Sequence, residues 1–146
     1  MALVDYFLKV DGIDGSSADR DHKDEIEVLS FSWGAVQEGD TGGGGGGGTG
    51  KVQLQDFHFT ANFNKASPAL FLSCASGKHI KQGVLTGRSD RLGGTFYKVT
   101  FSDIIMSSYQ TGGSSGDSVP TDQCSLNFAK IEYNDAAFDT RGGEVG

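Results

Sequence analysis

At 146 residues the chain is long enough to bury the core of one domain, and 36% hydrophobic content with ten Phe suits a globular, β-rich protein. Its 12 Lys and Arg stand against 19 Asp and Glu, a formal net charge of −7 that argues against nucleic acid or an anionic membrane surface as partner. Residues 1–10 have no basic lead and carry Asp5 inside a short apolar run, so they read as neither signal peptide nor membrane span. The expectation is a chain that folds in the cytoplasm and leaves it, if at all, without a cleavable signal.

In chain order, residues 3–10 alternate, with Val4, Tyr6, Leu8 and Val10 forming the apolar face of a first strand. The charged stretch 16–24 reads as an exposed loop. Residues 25–36 read as one longer strand with bulk on both faces, from Ile26, Val28, Leu29, Phe31 and Trp33. The glycine-rich run 39–50 has no side chains to pack and reads as a flexible loop. From Val52 to Phe63 the alternation resumes but slips by one residue at Gln55 and Asp56, the signature of a β-bulge. A helix over about residues 67–76 is then expected: Ser67 caps it, Pro68 takes the first helical position, and Gly77 ends it. Its apolar side is read as Leu70, Phe71, Cys74 and Ala75, with Ser73, Ser76 and Lys78 facing away. Residues 80–88 and 95–107 read as strands joined by a tight turn at 89–94, and the second ends in a double-faced Ile104, Ile105 and Met106. A polar loop over 108–121, a last clear strand over 123–133 and a frayed tail over 134–146 complete the chain. The fold class is therefore mainly β, a closed barrel of two antiparallel sheets with one short flanking helix, in a single domain spanning 1–146.

Motifs for chemistry fail one by one. Gly45 to Lys51 satisfies the phosphate-loop spacing, but Val52 stands where Ser or Thr should hold magnesium and a strand follows in place of a helix. Asp19, Asp21, Asp24 and Glu25 lack the Gly and late bidentate Glu of a calcium loop, and Arg20 and Lys23 offset their charge. His22, His58 and His79 have no clustered partners, and Cys74 and Cys124 read as small buried side chains, not a disulfide or a zinc site. No nucleophile elbow is present. The reading assigns no catalytic residue, no cofactor and no metal.

Seven blocks in order resemble the haemolysin-coregulated protein (Hcp) family, the tube subunit of the bacterial type VI secretion system. They are DYFLKVDGIDG (5–15), IEVLSFSWG (26–34), GKVQLQDFHFT (50–60), ASPAL (66–70), ASGKHI (75–80), SSYQTGG (107–113) and LNFAKIE (126–132). The resemblance implies a barrel of two sheets with a helix on its side, assembled as a homohexameric ring. It further implies rings stacked into a tube, expelled by a contractile sheath behind a spike protein, with effector cargo in the lumen. It implies a non-enzymatic, self-assembling protein that is cytoplasmic before firing and extracellular after it, with no membrane insertion. Similar sequences continue beyond the Lys130-Ile131-Glu132 strand, whereas residues 134–146 here hold a single base, Arg141.

A ring and a tube need complementary edges and complementary top and bottom loops. The glycine-rich loop reads either as a contact that orders on assembly, with Asp40, Thr49 and Lys51 as polar anchors, or as a solvated tether, and Ser114, Ser115 and Asp117 in the later polar loop are the second candidate contact. The alternative is a stand-alone β-barrel ligand-binding module, for carbohydrate as an example, which would present a platform of aromatics on one face.

Overall fold

The computed structural model describes residues 3–38, 51–116, 119–141 and 143–144. Strand β1, Asp5–Val10, pairs on one side with β2, Ile26–Val28, and on the other with β7, His79–Ser89. From β7 the sheet runs on through β8, Gly94–Gly112, to β9, Thr121–Tyr133. The first half of β9 then pairs with β6, Phe57–Asn62, which pairs with β3, Ser30–Ser32. All pairings are antiparallel. Only Leu29 separates β2 from β3, and its N–H donates to Thr60 O at 2.8 Å. The expected single strand over 25–36 is thus kinked: it leaves β1 for β6 and bridges the seam of a nearly closed, barrel-like antiparallel sheet, mainly β with one helix as expected.

The long strands bend together. The inward phase slips by one residue between Ile80 and Gly83, between Phe101 and Ile104, and between Phe128 and Ile131. These residues are cross-strand partners, with Ile80 opposite Ile104, Gly83 opposite Phe101, Ile104 opposite Phe128 and Phe101 opposite Ile131. Three neighbouring strands therefore spend an extra residue on one row, where Asp103 takes a positive φ of 55°. The double-faced Ile104 to Met106 stretch is resolved by this bend: Ile104 and Met106 point inward and Ile105 outward.

Phe57, Phe59, Phe101, Leu8, Leu85, Val99 and Leu126 fill the barrel, with the rings of Phe57 and Phe101 4.7 Å apart and those of Phe101 and Phe128 4.9 Å apart. Gly87 is needed for close approach, since a Cβ there would stand 2.8 Å from the Tyr6 ring and 3.0 Å from Tyr97 Cβ.

Helix α1, Ser67–Ser76, lies against β8, and Gly77 ends it in the left-handed region (φ 66°, ψ 28°) as expected. Two helix expectations are corrected. Ser67 is the first helical residue and Ala66 the cap position. Ser67 Oγ donates to Asp122 Oδ2 at 2.5 Å and does not cap the helix, while Asn64 Oδ1 accepts the Ala66 N–H at 2.8 Å. The buried face is Ser67, Leu70 and Ser73, whereas Phe71 and Ala75 are exposed, because the fully buried Asp122 draws the helix round to satisfy its carboxylate. Tyr109 O–H donates to Asp122 Oδ1 at 3.0 Å, and burial raises the Tyr109 pKa.

The slip at Gln55 and Asp56 is a break between elements, not a bulge: β5, Lys51–Leu54, leaves the barrel to pair only with β4, Ala35–Glu38, as a separate two-stranded ribbon. The expected polar loop over 108–121 shortens, since β8 runs to Gly112 and β9 starts at Thr121. The segment read as a frayed tail forms β10, Ala136–Asp139, against the end of β9, with the short β11, Gly143–Glu144, beyond it. Both cysteines are free, and burial pushes the Cys124 thiol pKa up to about 12.

Candidate functional site

Among the described residues no three His, Cys, Asp or Glu side chains are placed to hold a metal, and no helix is long and apolar enough to cross a membrane. What the barrel offers instead is surface of distinct kinds.

The first is an uncharged sheet face. On β3, β6, the first half of β9 and the end of β8, outward positions are Ser30, Ser32, His58, Thr60, Gln123, Ser108 and Gln110. They line a shallow depression of about 450 Å³ to which, among the described residues, no Asp, Glu, Lys or Arg contributes. Ser30 Oγ and Thr60 Oγ1 lie 2.6 Å apart, and Thr60 is the ladder partner of Gln123. In a chain of net charge −7, the described outward positions here present hydroxyl and amide groups and the His58 imidazole.

The second is the β4–β5 ribbon and the cleft beside it. Trp33, Val52, Leu54, Ile131, Tyr133 and Phe138 line most of a volume of about 540 Å³. Trp33 Nε1 donates to Tyr97 OH at 2.9 Å, and its ring meets Tyr133 edge-on at 5.1 Å. Burial raises the Tyr97 pKa.

The third is an ion-pair cluster on β7. Arg88 donates to both Asp19 oxygens at 2.7 and 2.8 Å, stands 3.8 Å from Asp5 and from Asp21, and lies 5.1 Å over the Phe7 ring. The guanidinium holds the Asp19 carboxyl well below the usual carboxylate range, and the carboxylate raises Arg88 in turn. His22 stacks on Phe7 at 4.4 Å and pairs with Glu25 at 3.0 Å. The acidic loop is thus pinned by Arg88, a partner sixty-nine residues away that no local reading supplies.

Of the expected contact residues, Asp40, Thr49 and Asp117 lie outside the described residues. Lys51 begins β5, though its side chain is not among those described, and Ser114 and Ser115 are exposed in the turn between β8 and β9. His58 is exposed on the uncharged face, and His79 Nε2 lies 3.2 Å from Asp103. Asp56, known in the sequence only as a change of phase, is brought together with Ser107 and Asn127 where the ribbon meets the barrel: Ser107 Oγ donates to Asp56 at 2.6 Å and Asn127 Nδ2 at 3.0 Å.

Residues 7–134 match the sequence model of the family described as "Type VI secretion system effector, Hcp". The chain is 42% identical over 135 residues to Protein hcp1 of Pseudomonas aeruginosa, covering 90% of this chain and 82% of that protein. It superposes on the crystal structure of Hcp1 from Salmonella typhimurium with a TM-score of 0.83 and 36% identity, covering 98% of this chain and 99% of that one. A type VI secretion system effector from Yersinia pestis gives a TM-score of 0.74 at 29% identity over 97% and 95% of the two chains. The chain belongs to the Hcp family of type VI secretion system proteins, a family of structural tube proteins and not of enzymes.

Proposed function

We propose that this protein assembles as hexameric rings that stack into the tube of a type VI secretion apparatus, travels behind a spike protein when the sheath contracts, and carries effectors in the lumen. The observation that carries this reading is the uncharged face of β3, β6, β9 and β8. A wall past which varied cargo moves is served by a surface without fixed charge to hold one cargo tightly, and Ser30, Ser32, Thr60, Gln110 and Gln123 supply it. The β4–β5 ribbon then reaches toward the neighbouring ring. Asp40, Thr49, Lys51, Ser114, Ser115 and Asp117 are the proposed polar contacts between copies, in a head-to-tail arrangement that can propagate.

A carbohydrate-binding barrel would need an aromatic platform open to solvent. Trp33 is engaged instead, donating to Tyr97 and packed edge-on against Tyr133 at the base of the ribbon. Light scattering on a sizing column, with negative-stain images of the same peak, tests the proposal. A hexameric mass with ring-shaped particles is expected; a clean monomer at high concentration overturns it in favour of a binding module.

A further inference from the structure

Asp56 stands at the last step before the chain leaves the ribbon and enters the barrel at Phe57. Its Oδ2 accepts from Ser107 Oγ at 2.6 Å and its Oδ1 from Asn127 Nδ2 at 3.0 Å. Ser107 Oγ also lies 2.6 Å from Ser125 Oγ, and Ser125 Oγ lies 2.6 Å from Ser108 Oγ. Two consecutive strand residues normally point to opposite faces. Ser107 and Ser108 reach one partner because the β8 register against β9 shifts between Met106 and Ser108. Each hydroxyl has one proton and an ionised carboxylate only accepts, so the protons run one way: Ser108 to Ser125, Ser125 to Ser107, Ser107 to Asp56. The bulge builds a socket of hydroxyls, and a single carboxylate fills it.

The other strand of the ribbon is tied at the same level. Trp33 is held by Tyr97 and Tyr133, and the Gln55 N–H donates to Gly34 O at 2.8 Å, closing the base. Beyond that base β4 and β5 pair with no barrel strand. The direction in which the ribbon leaves the barrel is therefore set at its base, by the Trp33 ring on one strand and, on the other, by Leu54 packed against the core and the Asp56 carboxylate that follows it.

We infer that Asp56 is the positioning residue of the β4–β5 ribbon: seated on Ser107 and Asn127, it fixes the angle at which the ribbon meets a second copy of this chain. The partner in that statement rests on the stacking proposed above; the anchor itself does not.

Spin labels on Gln37→Cys in the ribbon and Lys81→Cys in β7, both exposed positions, read the angle as a distance. Cys74→Ala removes the accessible native thiol and Cys124 stays buried. The labelled protein is diluted into unlabelled protein so that only distances within one chain are measured. The parent gives one narrow distance. Asp56→Ala raises the displaced fraction about tenfold, within the range for losing a charge-assisted hydrogen bond, with circular dichroism unchanged. Ser107→Ala broadens the distribution in the same direction and carries the test if Asp56→Ala does not fold. Asp56→Asn keeps the parent distance, because its amide still accepts from Ser107 while Asn127 turns its own amide over to match. An unchanged distance in both alanine variants overturns the inference. A displaced ribbon in rings that still stack leaves the anchor standing and removes the ribbon from the stacking contact.

Discussion

In the barrel, position follows from burial: Phe57, Phe59, Phe101 and Leu126 are almost wholly covered, and β6, β8 and β9, which carry them, each pair with neighbours on both sides. In the β4–β5 ribbon, Ala35, Val36 and Gln37 are exposed, each strand pairs only with the other, and Leu54 near the base packs against the core. Two-stranded antiparallel pairs are marginal by themselves in water. The ribbon persists because its base is tied to the barrel at Trp33 and Asp56. The lesson is a division of work: the barrel carries the stability and the ribbon can vary in sequence at small cost to the fold.

The largest effect belongs to the barrel. Phe57→Ala removes a fully buried ring that touches Phe101, and should cost about 3–5 kcal/mol in urea unfolding. A loss no larger than that of a surface substitution would break the contrast. Ser67→Ala is next, because it leaves the buried Asp122 with Tyr109 as its remaining hydroxyl partner, a cost of about 1–3 kcal/mol in the same measurement.

A smaller effect is expected from acid. The Asp19 carboxyl titrates below its ordinary range when folded because Arg88 donates to it, so its contribution is complete above that range. It fades as the pH falls through the ordinary carboxylate range toward the folded value. Asp139, held down to about 2 by Arg141, adds in the same direction. The urea midpoint should fall in this window, and Arg88→Met should flatten the fall; an unchanged slope would leave the cluster without weight. The smallest effect belongs to the ribbon: Val36→Thr, at an exposed position, should change stability by no more than about 0.5 kcal/mol while remaining free to alter self-association on the sizing column.

Much of the barrel was legible in the sequence because apolar alternation reports burial directly, as along β6 at Phe57, Phe59 and Ala61. The Pro68 and Gly77 signals placed the helix to the residue, since both act through the local backbone. Its rotation was not legible: Ser73 faces inward because the helix turns toward Asp122, a carboxylate far along the chain. The same limit hid the ribbon's base. Gln55 and Asp56 gave a true phase change, but a bulge and a strand break look alike until the partner strands are known. Asp56, Ser107 and Asn127 carry no common pattern, and only the bulge in β8 makes them neighbours. The proposed contact residues stand in Gly- and Ser-rich stretches, a composition that marks where a chain has little to bury and not what it meets.

The kinked strand from Ile26 to Ser32 has a consequence for the order in which the molecule is made. The pairs β7–β8 and β8–β9 join neighbours in the chain, whereas Tyr6 finds Gly87 and Phe57 finds Leu126 only after long loops have closed. Local pairings form early and distant ones late. We predict that pulse-labelled amides of the β7–β8–β9 meander gain protection before those through which β1 joins β7 and β6 joins β9, the two strands that Ile26–Ser32 bridges; simultaneous protection would refute this. Until that strand arrives, β1 and β6 are open edges, each a template for another chain. For a protein that seeks copies of itself, the moment at which the seam shuts separates ordered assembly from mispairing.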